Sequence, residues 1–299
     1  MIALENRAND RKPFLMFVLS MLIFGTVGLV RRYVPCSSAF LAFSRGILGG
    51  LLLLGFTGCK QKGAGKKLSG RTLLWLGFSG AVIGINWMLL FEAYNYTSVS
   101  VATLCYYMQP TIVILLSPLV FKEKLKGKRM ICAFAAVIGM VLVSGVIGGS
   151  AGQGGDLKGI ACGLGAAALY ATVVILNKKI HVEDAIDKTI VQLITAAAVM
   201  MPYLALSGRG QMEFDTIGTT TVIMVLIVGI VHTGIAYALY FGSMENLKAQ
   251  SVAVLSYLDP VFALILSAVI LGERMTVFGI IGAVLIIGSA IISETENKE

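Results

Sequence analysis

The feature that most constrains this chain is a series of ten apolar runs, each 17 to 23 residues long. A helix of about 20 apolar residues spans the hydrocarbon core of a bilayer, and it satisfies its own backbone hydrogen bonds where no water is present. With 57% hydrophobic and 13% charged residues, the composition excludes an ordinary soluble domain. The sequence predicts an all-α membrane protein with ten transmembrane helices at 14–30, 34–56, 72–93, 99–121, 130–147, 159–176, 189–206, 219–241, 249–271 and 276–292.

The two halves of the chain repeat each other at an offset of 150 residues. Tyr107 and Pro110 fall on Tyr257 and Pro260 at this offset. Because each half holds an odd number of runs, the second half must enter the membrane from the opposite side. Inverted repeats are a recurring plan of secondary transporters. We predict a first repeat at 1–147, a Gly-rich linker at 148–157 and a second repeat at 158–299.

Positive charge predicts the orientation, because Lys and Arg concentrate in loops on the cytoplasmic side. With the N-terminus inside, 18 of the 24 Lys and Arg fall in inner segments, 5 in outer segments and Arg45 within a span. We therefore expect a multi-pass protein of a bacterial-type cell membrane, with both termini in the cytoplasm. The net charge of +8 follows from this asymmetry and does not indicate a nucleic-acid partner.

A proline within a span is followed 13 residues later by glutamate in both halves. The proline–glutamate pairs are Pro110 with Glu123 and Pro260 with Glu273. Arg45, which follows Pro35, and the aromatic-small pairs Phe24-Gly25 and Tyr170-Ala171 accompany them. The pattern resembles the two EamA domains of the drug/metabolite transporter superfamily, over almost the whole chain. The resemblance implies transport of amino acids, other metabolites or drug-like compounds, mostly outward. Lys122 departs from the pattern, since Gly272 precedes the glutamate in the other half.

Ionisable side chains are costly in hydrocarbon, so the few within the predicted spans are candidates for function. Arg45 could anchor a substrate carboxylate through paired hydrogen bonds. The alternative is a structural pair with Asp259 or with helix carbonyls. His232 and Asp259 are candidates for carrying a coupled proton, as intramembrane His and Asp do in pumps and transporters. The alternative for these two is a neutral, hydrogen-bonded pair.

Polar and aromatic side chains at similar depth complete the predicted substrate site, because aromatic rings stack on apolar or aromatic groups. Pro110 and Pro260 each remove a backbone donor and free the carbonyls of Tyr106 and Ser256. We interpret these two bends as lining the cavity, with a packing kink as the alternative. The predicted substrate-binding residues are Arg45, Asn86, Trp87, Tyr106, Gln109, Tyr237 and Tyr257.

Several other features favour a structural interpretation. The five Cys occur singly, without Cys-x-x-Cys or a His partner, so no metal site, cofactor or disulfide framework is predicted. Gly-x-x-x-Gly spacings that begin at Gly46, Gly80 and Gly159 predict close helix packing. No Gly-x-x-x-x-Gly-Lys-Ser/Thr motif for nucleotide binding occurs. Glu123 and Glu273 are expected to cap the helices that follow them.

Together these patterns predict a secondary active transporter, and an exporter rather than an enzyme, of small organic metabolites by alternating access. The first four and the sixth to ninth runs would surround the cavity, with the fifth and tenth peripheral. The expected partners are a small-molecule substrate and the lipid bilayer, and both a monomer and a homodimer stay open. The alternatives are a lipid-carrier flippase and a membrane enzyme acting on a lipid-linked substrate. The near absence of acids, His and Lys from the outer loops disfavours the enzyme.

Overall fold

The computed structural model describes residues 2–27, 30, 38–59, 68–97, 99–122, 127–143, 157–182, 184–207, 218–271 and 276–295, and these form helices and turns with no strand. In chain order the helices are α1 (Ile2–Gly25), α2 (Ser38–Cys59), α3 (Gly70–Tyr96), α4 (Val99–Tyr106), α5 (Gln109–Phe121), α6 (Gly127–Val143), α7 (Leu157–Lys179), α8 (Ala185–Ser207), α9 (Thr219–Gly229), α10 (Ala236–Met244), α11 (Ala249–Leu255), α12 (Leu258–Leu271) and α13 (Val277–Thr295). A π-helical segment, Ile230–Ile235, joins α9 to α10.

Seven helical stretches in the described chain are long and apolar enough to cross a membrane. They are Ala39–Thr57, Gly70–Tyr96, Ala102–Phe121, Leu157–Lys179, Ala185–Leu206, Thr219–Met244 and Ala249–Ile270. Three shorter apolar helices are Lys12–Gly25, Met130–Leu142 and Val277–Ser289. The prediction of an all-helical, multi-pass membrane protein is confirmed. The count of ten spans and their inverted arrangement stay predictions.

The chain divides into two compact units, and each combines helices from both predicted repeats. Unit 1 contains Met1–Met88 and Leu176–Glu245. Unit 2 contains Leu89–Ile175 and Asn246–Glu299. The linker predicted at 148–157 lies outside the described residues except for Leu157, as do Glu123, Glu273 and Pro35.

Glycine faces bring the helices of unit 1 into close contact. A Cβ on Gly46 of α2 would lie 3.3 Å from the Cβ of Ala197 in α8, and one on Gly84 of α3 would lie 2.7 Å from the Ala196 carbonyl oxygen. In unit 2, a Cβ on Gly163 would lie 2.8 Å from the Cβ of Cys105. The prediction that the Gly-x-x-x-Gly spacings serve packing is confirmed, because backbones approach closely only where no side chain intervenes.

The predicted bends at the two prolines are breaks in the helices. The fourth predicted span divides into α4 and α5 at Tyr107, and the ninth divides into α11 and α12 at Tyr257. Pro110 stands at the second position of α5, where a missing amide costs no helical hydrogen bond. Pro260 stands at the third position of α12. A proline inside a span therefore begins a new helix in each half.

Helices α6 and α13 pack against each other in unit 2. Their shared core contains Met140 and Ile286, which are buried together with Tyr257 of the second break. A Cβ on Gly139 would lie 2.7 Å from the Gly282 carbonyl oxygen, so the two backbones are in direct contact. The opposite sides of both helices carry exposed apolar residues, including Phe134 and Val284, as expected for surfaces that face lipid.

Candidate functional site

Arg45 of α2 lies beside two of the other predicted substrate residues, all within unit 1. Its guanidinium stands 4.6 Å from the ring centroid of Trp87, which belongs to α3. Its Nη2 donates a hydrogen bond of 3.3 Å to the hydroxyl of Tyr237 in α10. Its Nε is buried and makes no hydrogen bond to the described residues. Side chains from three helices therefore meet at Arg45, whose buried Nε has no acceptor among the described residues.

Aromatic rings pack around Tyr237 and fix its position. Its ring lies 5.2 Å from Phe24 of α1, at an edge-to-face angle of 72°, and 6.4 Å from Trp87. Tyr240, one turn further along α10, lies 5.8 Å from Phe24. Such edge-to-face pairs stabilise a fixed arrangement of rings. The rings of Phe24, Trp87, Tyr237 and Tyr240 therefore form an aromatic wall in unit 1, beside Arg45. Asn86, which precedes Trp87 in α3, is fully buried.

His232 lies in the π-helical segment, within the stretch 219–241 that the sequence predicts as one span. Its Nε2 is 2.7 Å from Thr26 Oγ1, and its Nδ1 is 3.4 Å from the Ile227 carbonyl oxygen. The Thr26 hydroxyl also lies 2.7 Å from the Ile23 carbonyl oxygen, to which it donates. Single π-helical turns within α-helices are frequent at functional sites. The span predicted at 219–241 is found as Thr219–Met244, and the π-helical turn is a further feature that hydropathy does not reveal, because both hydrogen-bond patterns suit the same composition.

Small residues allow α2 to approach this segment. A Cβ on Gly49 would lie 3.0 Å from both the Gly229 carbonyl oxygen and the Gly234 amide nitrogen. Thr233, between His232 and Gly234, donates a hydrogen bond of 2.9 Å to the Val228 carbonyl. The widened turn is therefore held by a side-chain hydrogen bond on one side and by direct backbone contact with α2 on the other.

In unit 2, the two helix breaks contact each other through tyrosines. Tyr107 at the first break donates a hydrogen bond of 2.8 Å to Oδ2 of Asp259, which immediately precedes Pro260. Tyr257 at the second break lies with its hydroxyl 2.9 Å from Oγ1 of Thr111, which immediately follows Pro110. The two contacts are reciprocal, and they place the only predicted acidic site residue within a hydrogen-bonded pair.

Gln109 and Tyr106 lie at the same break. Gln109 is 4% exposed, and its Nε2 makes no hydrogen bond to the described residues. It is the counterpart of Asp259 at the repeat offset of 150 residues. Tyr106 packs its ring 5.8 Å from Tyr170 of α7. The predicted pairings of Asp259 with Arg45 or with His232 join residues of different units, and they stay predictions.

An apolar groove of about 360 Å³ lies between α2 and α9 in unit 1. Ser44 and Thr221 are its polar lining residues. The others are Phe40, Phe43, Ile47, Leu48, Val222, Val225 and Leu226. Its chemistry suits a hydrocarbon chain rather than a charged metabolite.

Lys188 and Glu245 form an ion pair in unit 1 that no sequence pattern indicates. Hydropathy predicts a loop at Lys188, whereas its side chain is fully buried in the first turn of α8. The apolar run begins at Thr189, one residue after Lys188, so the predicted span does not include the lysine. Within the described ranges, no group of three or more His, Cys, Asp or Glu could hold a metal ion.

Comparison of the sequence with known proteins finds transporters. A sequence model of the EamA-like transporter family matches residues 11–145 and again residues 157–295. "Uncharacterized transporter YxxF" of Bacillus subtilis (strain 168) is 30% identical over 270 residues, which are 90% of this chain and 85% of that protein. A "Probable amino-acid metabolite efflux pump" of Escherichia coli (strain K12) is 29% identical over 222 residues, or 71% and 73% of the two chains.

A solved crystal structure shares the fold. It aligns over 95% of this chain and 96% of its own length with a TM-score of 0.79, at 18% sequence identity. At that identity the likeness concerns the fold alone.

Proposed function

The chain belongs to the EamA-like transporter family, and from this premise we propose that it exports amino acids and related small carboxylic acids. The proposed mechanism is secondary active transport by alternating access, from a cell membrane with both chain termini in the cytoplasm. The observation that carries the proposal is the Arg45 guanidinium, held by Trp87 and Tyr237 with its Nε buried and unused.

The chemistry of Arg45 supports an acid as the substrate. A guanidinium binds a carboxylate through two parallel hydrogen bonds, and a buried donor without an acceptor is unfavourable until a ligand supplies one. Trp87 stabilises the cation through its ring face, and Tyr237 orients it. An amino acid would place its carboxylate on Arg45 and its side chain against the aromatic wall of Phe24 and Tyr237. The name of the Escherichia coli relative supports the same substrate class.

We assign the driving force for transport to a proton gradient across the membrane. Asp259 and His232 are the acidic and imidazole groups that lie deep within predicted spans, and each has a hydroxyl neighbour, Tyr107 and Thr26 respectively. An intramembrane carboxylate can bind a proton on one side of the membrane and release it on the other. In the proposed exchange Asp259, assisted by His232, carries one proton inward as substrate leaves.

The test uses purified protein in proteoliposomes, after a growth screen of expressing cells on toxic amino-acid analogues has chosen a substrate. We expect the wild type to concentrate this acid when a pH difference is imposed. Arg45→Gln should abolish transport, while Asp259→Asn should retain exchange down the substrate gradient and lose the pH-driven accumulation. Failure of the wild type to respond to the pH difference, or accumulation by Asp259→Asn, contradicts the proton role.

The apolar groove between α2 and α9 favours a second candidate, a lipid-carrier flippase. A polyisoprenoid chain could lie against Phe40, Phe43 and Val225 while its polar head crosses the membrane. The same vesicles separate the two functions. Movement of a labelled polyisoprenoid phosphate without movement of any amino acid supports the flippase, and the reverse supports the exporter.

A further inference from the structure

An ion pair between a fully buried lysine and a partly exposed glutamate joins three helix ends of unit 1. The ammonium of Lys188, in the first turn of α8, donates to Glu245 Oε1 at 2.5 Å. It also donates to the Asn177 backbone carbonyl at 2.8 Å, in the last turn of α7. Glu245 directly follows α10, which ends at Met244. One fully buried cation therefore joins the ends of α7, α8 and α10.

A second bond and a glycine contact strengthen the same junction. Lys178 of α7 donates a hydrogen bond of 3.2 Å to the Met244 carbonyl oxygen at the end of α10. A Cβ on Gly242 would lie 2.8 Å from the Cβ of Ala185, the first residue of α8. The end of α10 thus packs directly on the start of α8, with only the Ala185 methyl group between the two backbones.

Fully buried amides extend the ion pair towards α3. Gln192 Nε2 donates to Ser79 Oγ at 2.7 Å and to Asn177 Oδ1 at 3.2 Å. Asn177 in turn accepts the hydrogen bond from Lys188 through its backbone carbonyl. Ser79, Asn177, Gln192 and Lys188 are all 0% exposed. A continuous polar network therefore runs from α3 to the charged pair.

The first turn of α8 is fixed by Asp184, whose Oδ1 accepts a hydrogen bond of 2.8 Å from the Ile186 amide. This N-terminal cap positions Lys188 one turn further along the helix. Asp184 itself is open to solvent, whereas the Glu245 side chain is only 22% exposed and contacts the Lys188 ammonium. Glu245 is therefore the carboxylate that compensates the buried ammonium.

Burial of such a pair is not explained by stability. Desolvation of two charges largely offsets their attraction, and replacement of a buried pair by uncharged residues is often neutral, whereas removal of one partner is strongly unfavourable. Separating the two charges without water would leave each uncompensated, so an open arrangement of these helix ends must hydrate both of them. Secondary transporters expose a site to one side at a time by rocking or gating one group of helices against another.

We propose that Lys188 and Glu245 form a latch that holds the ends of α7, α8 and α10 together, and that its separation opens this end of unit 1 during transport. The proposal rests on the proposed function, because alternating access requires an end that opens. Under the orientation predicted from the Lys and Arg distribution, the latch lies at the cytoplasmic face.

The experiment removes both charges at once, since either single variant can fail to fold. Purified Lys188→Met/Glu245→Gln protein is compared with wild type by hydrogen–deuterium exchange in lipid nanodiscs. Lys179→Met is the matched control, because Lys179 is an exposed lysine in the last turn of α7. We expect amides of residues 176–190 and 240–248 to exchange at least tenfold faster in the double variant. Their exchange in Lys179→Met should match the wild type.

Wild-type exchange rates in a folded double variant overturn the latch. A global increase in exchange that includes α6 and α13 of unit 2 also overturns it, because general destabilisation then accounts for the result. The exchange measurement needs no substrate, so it stands even if no carboxylic acid is transported in proteoliposomes. That transport result bears on the proposed function alone.

Discussion

Tyr107 donates a hydrogen bond of 2.8 Å to Asp259, and this bond joins the break in one proline-containing span to the residue that precedes the proline of the other. Its repeat counterpart, Tyr257, lies 2.9 Å from Thr111, which follows the first proline. Within unit 2, the 150-residue repeat of the sequence therefore becomes a pair of reciprocal contacts between helix breaks. The two bonds differ in one respect, because only the first involves a carboxyl group.

The two tyrosines should differ in their contribution to stability. Tyr107→Phe removes a hydrogen bond to an ionisable group, and we expect the free energy of unfolding to fall by about 1.5–3 kcal/mol. Tyr257→Phe removes a neutral bond and should cost about 0.5–1.5 kcal/mol. Equilibrium unfolding in mixed micelles at pH 8 measures both. Equal losses would show that Asp259 is not a charged acceptor in the folded protein.

Arg45→Lys tests whether the planar, bidentate geometry of the guanidinium contributes to substrate binding beyond its charge. Lysine keeps the cation but cannot bind a carboxylate through two parallel bonds. Loss of one charge-assisted bond should raise the KM for a carboxylic-acid substrate roughly 10 to 100-fold, with the melting temperature close to that of the wild type. Loss of folded protein in Arg45→Lys would indicate that the residue is structural instead.

Two glycines of α3 provide a matched test of packing. A Cβ on Gly84 would meet the Ala196 carbonyl oxygen at 2.7 Å, whereas one on Gly77 would meet nothing within 4 Å. Gly84→Ala should therefore destabilise the protein by about 1–3 kcal/mol, since the helices must separate. Gly77→Ala should be neutral or slightly stabilising, because alanine favours the helix. Equilibrium unfolding in mixed micelles compares the two variants. An unchanged free energy of unfolding in Gly84→Ala would contradict close contact of α3 with α8.

Lys122 carries backbone strain that glycine would relieve. It ends α5 with a φ of 57°, in the left-handed region where a Cβ is unfavourable. The other half of the chain has Gly272 at the equivalent position. Lys122→Gly should raise the free energy of unfolding by about 0.5–1 kcal/mol. Lys122→Ala is the control, because it retains the Cβ and should give no such gain.

The orientation can be tested with reporter fusions. A reporter that is active only in the cytoplasm should be active when fused after Lys66 and inactive when fused within 152–155. The expectation rests on the 18 basic residues in inner segments against 5 in outer ones. The opposite pattern would reject the orientation and, with it, the cytoplasmic placement of the latch.

Much of the local structure could be predicted from the sequence, because each relevant signal acts over a short stretch of chain. Apolar runs of membrane length predict spanning helices, and Pro110 and Pro260 predict breaks because each lacks an amide hydrogen. The Gly-x-x-x-Gly spacings predict close packing for a similarly local reason. The π-helical turn at His232 was missed, since α and π turns have the same composition.

The candidate site depended on tertiary structure. The sequence by itself determined that Arg45, Trp87 and Tyr237 are unusual within apolar spans, but their contact requires α2, α3 and α10 to pack together. The burial of Lys188 was likewise decided by packing, since its carboxylate partner comes from 57 residues later in the chain. Hydropathy counts a lysine beside a span as solvated. Only the tertiary structure supplies the compensating charge that makes its burial possible.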